Sequence, residues 1–158
     1  MRRTLETIGI GALAFLLGIT CAALYGPQRL PAWIPTHFDL AGHPNGWGSS
    51  SVLPLFPVVA LVLYLGMTIV GRIPSAFNYP VRVTAENRPR LEALTLQMIA
   101  WLKTEIVCLF AWIQWTIVDS ARQGRLNMSP LQMPLFVLAI LATIVGHIAA
   151  MFRAASRG

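Results

Sequence analysis

The stretch that decides the fold runs from residue 52 to residue 70 and reads VLPLFPVVALVLYLGMTIV, without a charged side chain. A helix needs about 20 apolar residues to cross the hydrocarbon core of a bilayer, which is roughly 30 Å thick. Three further apolar runs of similar length occupy residues 7–25, 98–118 and 131–152. None of the runs alternates with period two, and unpaired backbone groups cannot face lipid. Each run is therefore predicted to be a transmembrane α-helix.

The composition agrees with a membrane protein and argues against other classes. Hydrophobic residues make up 56% of the chain and charged residues 11%, whereas a soluble domain has roughly a quarter of its residues charged. The net charge is +6, but the basic residues bracket the apolar runs instead of forming one patch, so no nucleic-acid partner is expected. Both cysteines, Cys21 and Cys108, fall inside apolar runs, which argues against a disulfide framework.

We therefore predict an all-α integral membrane protein, a single domain over residues 1–158 that forms a four-transmembrane-helix bundle. The predicted helices span residues 7–25, 52–70, 89–118 and 131–152. Asn87 is a plausible N-cap of the third helix, and Pro89 fits its first turn. This helix is expected to begin outside the bilayer, to lie partly along the interface and then to enter the membrane.

The distribution of arginine predicts the orientation, because loops rich in Lys and Arg stay in the cytoplasm. The N-terminal tail, the second connection and the C-terminal tail contain most of these residues: Arg2, Arg3, Arg72, Arg82, Arg88, Arg90, Arg153 and Arg157. Lys103 is expected to snorkel to the same side. The first connection has only Arg29, and the third has Arg122 and Arg125. Both termini are thus predicted inside, with the protein multi-pass in a cytoplasmic membrane and the first run retained rather than cleaved as a signal peptide.

One compact polar motif lies between the first two apolar runs and, in this topology, outside the cytoplasm. Residues 34–48 read IPTHFDLAGHPNGWG, and two histidines, an aspartate, an asparagine and a tryptophan lie close together in this segment of an otherwise apolar chain. The candidate ligand-binding side chains in this loop are His37, Asp39, His43, Asn45 and Trp47.

Three interpretations of the loop remain open. His37, Asp39 and His43 carry common metal ligands, although their spacing matches no standard zinc signature. The loop is alternatively a surface for an extracytoplasmic peptide or small ligand. The third interpretation is a structural cap, in which Asn45-Gly46 forms a tight turn, Gly42 and Gly46 allow positive φ, and Trp33 and Trp47 anchor the loop at the headgroups.

The same stretch resembles a known family. The Pro and Gly residues at fixed offsets in residues 30–38 and 42–49, with His37 between them, look like the signature of a bacterial membrane domain of unknown function. That domain is also found in SdpI-type toxin-immunity proteins, and the resemblance covers about residues 10–70. It implies a small helical protein of a bacterial cytoplasmic membrane. In the immunity members it implies protection against a secreted toxin and signalling to a cytoplasmic repressor.

Two ionisable residues inside the apolar runs form a second candidate site. Glu105 is expected some 10 Å into the bilayer, where an ionisable group counts as a functional hypothesis by default. His147 on the fourth helix is expected at a similar depth, so we weigh a Glu105–His147 pair against a protonated Glu105 bonded to backbone or hydroxyl groups. Lys103 points about 200° away from Glu105 and is not expected to pair with it.

Helical periodicity also predicts which faces pack inward. One face of the third helix is expected to point into the bundle: Trp101, Glu105, Cys108, Trp112 and Trp115. Small residues recur every four positions on the first and fourth helices, at Ala14, Gly18 and Ala22 and at Ala142, Gly146 and Ala150. These stripes are interpreted as intramolecular seams, with a homodimer face as the alternative.

No catalytic motif is present, so no enzyme and no cofactor are expected. The preferred function is a sensor or immunity-like binding protein, which takes a ligand at the His37 loop and reaches an inner partner through residues 72–97. The alternative is a structural or transport-accessory subunit. A small-solute or proton transporter that uses Glu105 is a weaker third.

Overall fold

A computed structural model of the chain describes residues 1–39, 43–124 and 131–156. The described residues form four long helices and one β-hairpin: α1 (Arg2–Tyr25), β1 (Trp33–Phe38), β2 (Pro44–Ser49), α2 (Leu55–Val70), α3 (Arg88–Gln123) and α4 (Gln132–Ala155). Single 3₁₀ turns at Ser50–Val52 and Pro74–Ala76 complete the regular structure. The prediction of four helices long and apolar enough to cross a membrane is confirmed. The chain thus has the make-up of a multi-pass membrane protein.

The long third helix, α3, is the centre of the packing. It contacts α1, α2 and α4, and it is also the helix on which the hairpin strand β1 rests. The other substantial helix pair is α1 with α2, so α4 is held mainly by α3. Only 6% of the apolar window of α4 is buried. The four helices therefore form a three-helix core with α4 added on one side of α3, and not a symmetric bundle.

Two hydrophobic clusters define the two ends of the molecule. Near the hairpin, buried side chains of α1, β1 and α3 meet at Ile19, Ile34 and Val118. At the opposite end, Leu91 of α3 packs against Met151 and Ala154 of α4, with Tyr79 and Val81 covering them. The N-terminus, the connection 71–87 and the end of α4 consequently share the end that lies away from the hairpin.

Most of the described basic residues lie at that shared end. They are Arg2, Arg3, Arg72, Arg82, Arg88, Arg90 and Arg153, while Arg29 and Arg122 lie at the hairpin end. Arg125 and Arg157, which also entered the orientation argument, fall outside the described residues.

The inward face of α3 differs from the predicted one. Its buried positions include Ala100, Lys103, Val107, Ala111 and Gln114. The predicted tryptophan face is only half-buried, and Trp115 is 46% exposed. This face points toward α4 and not toward α1 and α2: the rings of Trp112 and Phe136 are 5.1 Å apart, and Glu105 contacts Thr143. The prediction is wrong for the exposed Trp115, and small and medium side chains form the side of α3 that α1 and α2 approach.

The small-residue stripes of α1 and α4 lie in different surroundings. Ala14, Gly18 and Ala22 of α1 are exposed and lie opposite the buried face of that helix, so their interpretation as an intramolecular seam is wrong. The stripe of α4 borders its contact with α3: Ala142, Gly146 and Ala150 line an open cleft with Leu94, Gln97 and Trp101.

Asn87 occupies the N-cap of α3 as expected, but its side chain does not cap the helix. Its amide instead donates to the carbonyl of Arg82 at 3.0 Å, and its Oδ1 accepts from the backbone N–H of Thr84 at 2.9 Å. The buried Asn87 side chain therefore fixes the connection before the helix. In the same connection, a backbone hydrogen bond and, after it, the hydroxyl of Thr84 hold the pKa of the exposed Glu86 below its usual value.

Candidate functional site

The polar motif forms a β-hairpin whose register is interrupted by a bulge. Ile34 pairs with Gly48 and Pro35 with Trp47, but the next pair is His37 with Gly46, so Thr36 is the extra residue. The predicted turn at Asn45-Gly46 is wrong, and so is the expected positive φ at Gly46, because both residues lie in the extended backbone of β2. The chain reverses direction between Asp39 and His43, and the expectation of positive φ at Gly42 falls outside the described residues.

The inner side of the hairpin is fastened to the helices by Ile34. This side chain is fully buried, among Ile19, Ala23, Leu30, Leu53 and Val118. The backbone adds a link at the end of the hairpin, where the N–H of Ser50 donates to the carbonyl of Ala32 at 2.9 Å. The hairpin is thereby fixed to the ends of α1, α2 and α3.

Trp33, Pro35 and Trp47 share the outer face of the hairpin, since alternate residues of a strand share a face and paired residues lie side by side. The rings of Trp33 and Trp47 are 64% and 61% exposed. Two large, rigid aromatic side chains therefore project from one face of a fixed strand pair.

The bulge places His37 on the other face. A Cβ added to Gly46 would lie 2.9 Å from the Cβ of His37, and one added to Gly48 would lie 2.9 Å from the Cγ2 of Thr36. Gly46 and Gly48 are two residues apart and so lie on one face, opposite Trp47. The glycines thus leave room for His37 and Thr36, whose Nδ1 and Oγ1 atoms are 3.3 Å apart.

The remaining candidates lie at the tip of the hairpin. Asp39 Oδ1 accepts a hydrogen bond from the backbone N–H of His43 at 2.8 Å, and Asp39 Oδ2 lies 3.5 Å from His43 Nδ1. The side chain of Asn45 is exposed. The five predicted ligand-binding residues are therefore divided between two faces and the tip. Within residues 1–39, 43–124 and 131–156 no three His, Cys, Asp or Glu side chains are grouped to hold a metal, so His37, Asp39 and His43 do not converge.

Glu105 and His147 approach the same residue without touching each other. The hydroxyl of Thr143 donates to Glu105 Oε1 at 2.6 Å, while Nδ1 of His147 lies 2.8 Å from the carbonyl oxygen of Thr143. Glu105 Oε2 is buried and has no hydrogen-bond partner among the residues that the structure describes. Thr143 therefore separates the two residues that the sequence placed at one depth, and the contact of Glu105 is with a hydroxyl group.

A third polar cluster was missed by the sequence analysis. Lys103 is 3% exposed and does not snorkel, because its Nζ lies 2.6 Å from Glu6 Oε1 of α1. The same Nζ donates to Thr68 Oγ1 at 3.0 Å and lies 4.5 Å from the centre of the Tyr64 ring. The hydroxyl of Tyr64 donates to the other oxygen of Glu6. A buried ion pair thus joins α1 and α3, and two side chains of α2 complete its hydrogen bonds.

A signal for this cluster was present in the sequence. Glu6 directly precedes the first apolar run, and Lys103 lies near the start of the third, in each case on the side of the arginine-rich flank. Tyr64 and Thr68 are one helical turn apart on the second run. Which charge meets which depends on the rotation of each helix about its axis, and no single run specifies that rotation.

Comparison with protein families places a match on the part of the chain that contains the hairpin. Residues 12–61 match the model described as "Domain of unknown function (DUF1648)". No curated protein and no solved structure matches the chain. The matched segment contains most of α1, the whole hairpin and the beginning of α2. This segment, in which both strands and the residues that fasten them lie, is thus similar to an uncharacterised domain family.

Proposed function

We propose that the protein is a sensor or immunity-like receptor of a bacterial cytoplasmic membrane, and that its hairpin binds an extended extracytoplasmic peptide by strand addition. One observation carries the proposal: β2 has no strand beside it on the side away from β1 within the described residues. An open strand edge is a template for another chain, and peptide-binding domains use such edges for main-chain hydrogen bonds.

Strand addition explains why the candidate residues are divided between two faces. A strand placed beside β2 turns alternate side chains to opposite faces. On one face its side chains would meet Trp47, and on the other they would meet the flat surface of Gly46 and Gly48, beyond which lie Thr36 and His37. The outer face supplies apolar contact area, and the inner face supplies a polar imidazole.

The attachment of the hairpin supports a route for a signal. Ile34 is packed among the ends of α1 and α3, so a displaced hairpin must repack that cluster. The α3 helix spans about 54 Å at 1.5 Å per residue and ends near the basic connection 71–87. We propose that peptide binding is passed along α3 to an inner partner that contacts residues 72–97, and that the arginine-rich end faces the cytoplasm.

The proposal is tested with the full chain in nanodiscs and a library of random peptides. We expect enrichment of peptides whose binding protects the backbone amides of residues 45–49 from hydrogen exchange. Binding is expected to fall at least about tenfold in Trp47→Ala and His37→Ala, the loss of about one good contact or 1.4 kcal/mol. Trp115→Ala, an exposed tryptophan that belongs to α3 and not to the hairpin, is the matched control.

N-methylation of alternate residues of an enriched peptide gives a second control, because it removes the N–H groups that strand addition needs. The proposal would be overturned if no peptide in the library bound the wild type more tightly than it bound Trp47→Ala. The structural-cap interpretation predicts a different result, in which bromine-labelled lipids quench Trp33 and Trp47 and no peptide protects β2.

The structural or accessory subunit remains the second candidate, and the exposed small residues of the stripes favour it. Gly146 and Ala142 on α4 are exposed, and such positions let a partner helix approach closely in a membrane. This function predicts co-purification with a membrane partner that is lost in Gly146→Leu and kept in His37→Ala. The weaker transporter alternative draws on the unpartnered Oε2 of Glu105, and unchanged flux in Glu105→Gln would remove that support.

A further inference from the structure

A cavity of about 550 Å³ lies at the basic end of the molecule, between α1, α2 and α3. Its volume is within the range of small-ligand sites, which is roughly 300–1,000 Å³. The polar lining consists of Arg2, Arg3, Arg72, Lys103, Glu6 and Thr68. Three separate segments of the chain therefore direct cationic side chains into one concavity.

The balance of charge in the cavity is positive. Four cationic side chains face one carboxylate, that of Glu6. The carboxylate is already matched by Lys103 at 2.6 Å and by the hydroxyl of Tyr64. Arg2, Arg3 and Arg72 are exposed and form no ion pair with a described residue. The buried pair thus closes the floor of the cavity, and the three guanidinium groups remain available above it.

The rest of the lining is apolar. Met67 of α2 and Leu96 and Ile99 of α3 form this wall. A basic rim beside an apolar wall, at the end of membrane-spanning helices, combines the two contacts that a glycerophospholipid offers, an anionic headgroup and an acyl chain. Guanidinium groups bind phosphate oxygens through paired N–H donors, and basic pockets between membrane helices take anionic headgroups.

We propose that this cavity is a binding site for a phosphate ester, with Arg2, Arg3 and Arg72 as its hydrogen-bond donors. The apolar wall favours an anionic phospholipid as the source of the phosphate over a water-soluble ester. The site is independent of the hairpin and lies at the other end of the helices. A bound headgroup would tie the N-terminus of α1 to the loop after α2.

The test measures lipid binding to the purified full chain by native mass spectrometry in a mild detergent. Phosphatidylglycerol is compared with the zwitterionic phosphatidylcholine, and glycerol 3-phosphate serves as the soluble phosphate ester. The cavity variant is Arg3→Gln/Arg72→Gln. The control variant, Arg82→Gln/Arg153→Gln, removes the same charge from exposed arginines at the same end that do not line the cavity.

We expect the wild type and the control variant to retain phosphatidylglycerol in preference to phosphatidylcholine, and the cavity variant to bind it at least about tenfold more weakly. Retention of phosphatidylglycerol without binding of glycerol 3-phosphate supports the site and assigns the phosphate to a lipid. Binding of glycerol 3-phosphate that depends on Arg3 and Arg72 supports the site and assigns it to a soluble ester.

Two results would overturn the proposal. One is an equal loss of phosphatidylglycerol in both double variants, which would mean that diffuse positive charge attracts the lipid. The other is a wild type that binds phosphatidylglycerol no better than phosphatidylcholine and does not bind glycerol 3-phosphate. Because the arginines are exposed and hold no ion pair with a described residue, the cavity variant is expected to fold, and an unchanged thermal unfolding temperature without lipid verifies this.

Discussion

The Glu6–Lys103 pair is the most consequential contact between individual residues. A charge left alone in the interior is far more costly than a satisfied pair, and the break of a buried pair typically costs about 3–5 kcal/mol. Glu6 also accepts a hydrogen bond from Tyr64, and Lys103 donates one to Thr68. Each charge of the pair therefore depends on the other to remain stable among apolar side chains.

Removal of the lysine alone is therefore expected to be worse than removal of both charges. Lys103→Met should lower the free energy of unfolding by about 1–3 kcal/mol, because it removes the ion pair of the Glu6 carboxylate, which is 30% exposed and keeps its hydrogen bond from Tyr64. The double variant Glu6→Gln/Lys103→Met should recover part of that loss. Reversible unfolding in mixed detergent measures both, with Arg82→Gln as a surface control. Additive losses in the two single variants would contradict a coupled pair.

Gly46 carries a second prediction, because its missing side chain makes room for His37. A Cβ on Gly46 would lie 2.9 Å from the Cβ of His37, which is attached to the backbone and cannot rotate away. Gly46→Ala should destabilise the hairpin by about 1–3 kcal/mol, the usual cost of overpacking. Gly66→Ala, where an added Cβ meets nothing within 4 Å, is the matched control. Hydrogen exchange of residues 33–49 measures the difference, and equal protection in the two variants would disprove the crowding.

The residues that the sequence could specify were those whose role depends on their own segment. The apolar runs and the position of Asn87 at the start of α3 follow from local rules. The partner of Lys103 and the contact of Glu105 with Thr143 depend on helix rotation and cross-helix distance. Those distances arise only when four helices are packed together.

Among the elements, the hairpin was the one whose type the sequence did not reveal. Pro and Gly are disfavoured in strands, and Asn45-Gly46 resembles a turn. The strands form because both ends of the motif are held by helices and because the bulge at Thr36 absorbs the extra residue. Gly46 and Gly48 weaken the β-propensity of β2, but a Cβ at either position would collide with a side chain of β1.

The hold of the hairpin on the helices is concentrated in Ile34. Ile34→Ala should cost about 2–5 kcal/mol, because a fully buried side chain is replaced by a cavity among residues of α1, α3 and the segments on either side of the hairpin. It should also raise hydrogen exchange throughout residues 33–49. Val52→Ala, which truncates a 44% exposed side chain nearby, should change stability little. A hairpin that stays protected in Ile34→Ala would show that it is anchored elsewhere.

The connection 71–87 has a pH-dependent attachment through Tyr79. Burial, followed by the nearby Glu92 carboxylate, raises the pKa of Tyr79 above its usual value near 10. A raised pKa means that the folded state favours the neutral phenol. This contribution to stability is present below pH 10 and is lost as the pH rises through the raised pKa.

The comparison of wild type with Tyr79→Phe isolates this effect. The hydroxyl of Tyr79 is buried without a well-formed hydrogen bond to a described residue, since the nearby hydroxyl of Thr95 donates to the carbonyl of Leu91. Tyr79→Phe should therefore be neutral at pH 7 to within about 1 kcal/mol. Above pH 10 the wild type should lose thermal stability faster than the variant. Parallel pH profiles for the two proteins would contradict the burial of a neutral phenol.

At the scale of the whole molecule, the arrangement follows from one helix that is longer than the membrane requires. The α3 helix supports the hairpin at one end and the basic connection at the other, and it lies between α4 and the pair α1 and α2. Hydropathy predicted four crossings because it depends only on composition along each run. Hydropathy did not predict that α3 contacts all three other helices, because Ala100, Val107 and Ala111 decide how closely α1 and α2 approach α3.

The arrangement also places the two proposed binding sites at opposite ends. Peptide binding at the hairpin and phosphate binding among Arg2, Arg3 and Arg72 are separated by the length of the helices. A common requirement connects the two proposals: the hairpin must face away from the cytoplasm and the arginines must face toward it.

The most direct test of this requirement is labelling with a membrane-impermeant maleimide in a background that lacks Cys21 and Cys108. Asn45→Cys on the hairpin and Arg82→Cys on the connection 71–87 are both exposed positions. We predict that Asn45→Cys is labelled in intact cells and that Arg82→Cys is labelled only after the membrane is permeabilised. The reverse pattern, or recovery of the unlabelled protein in the aqueous fraction after lysis, would contradict the account.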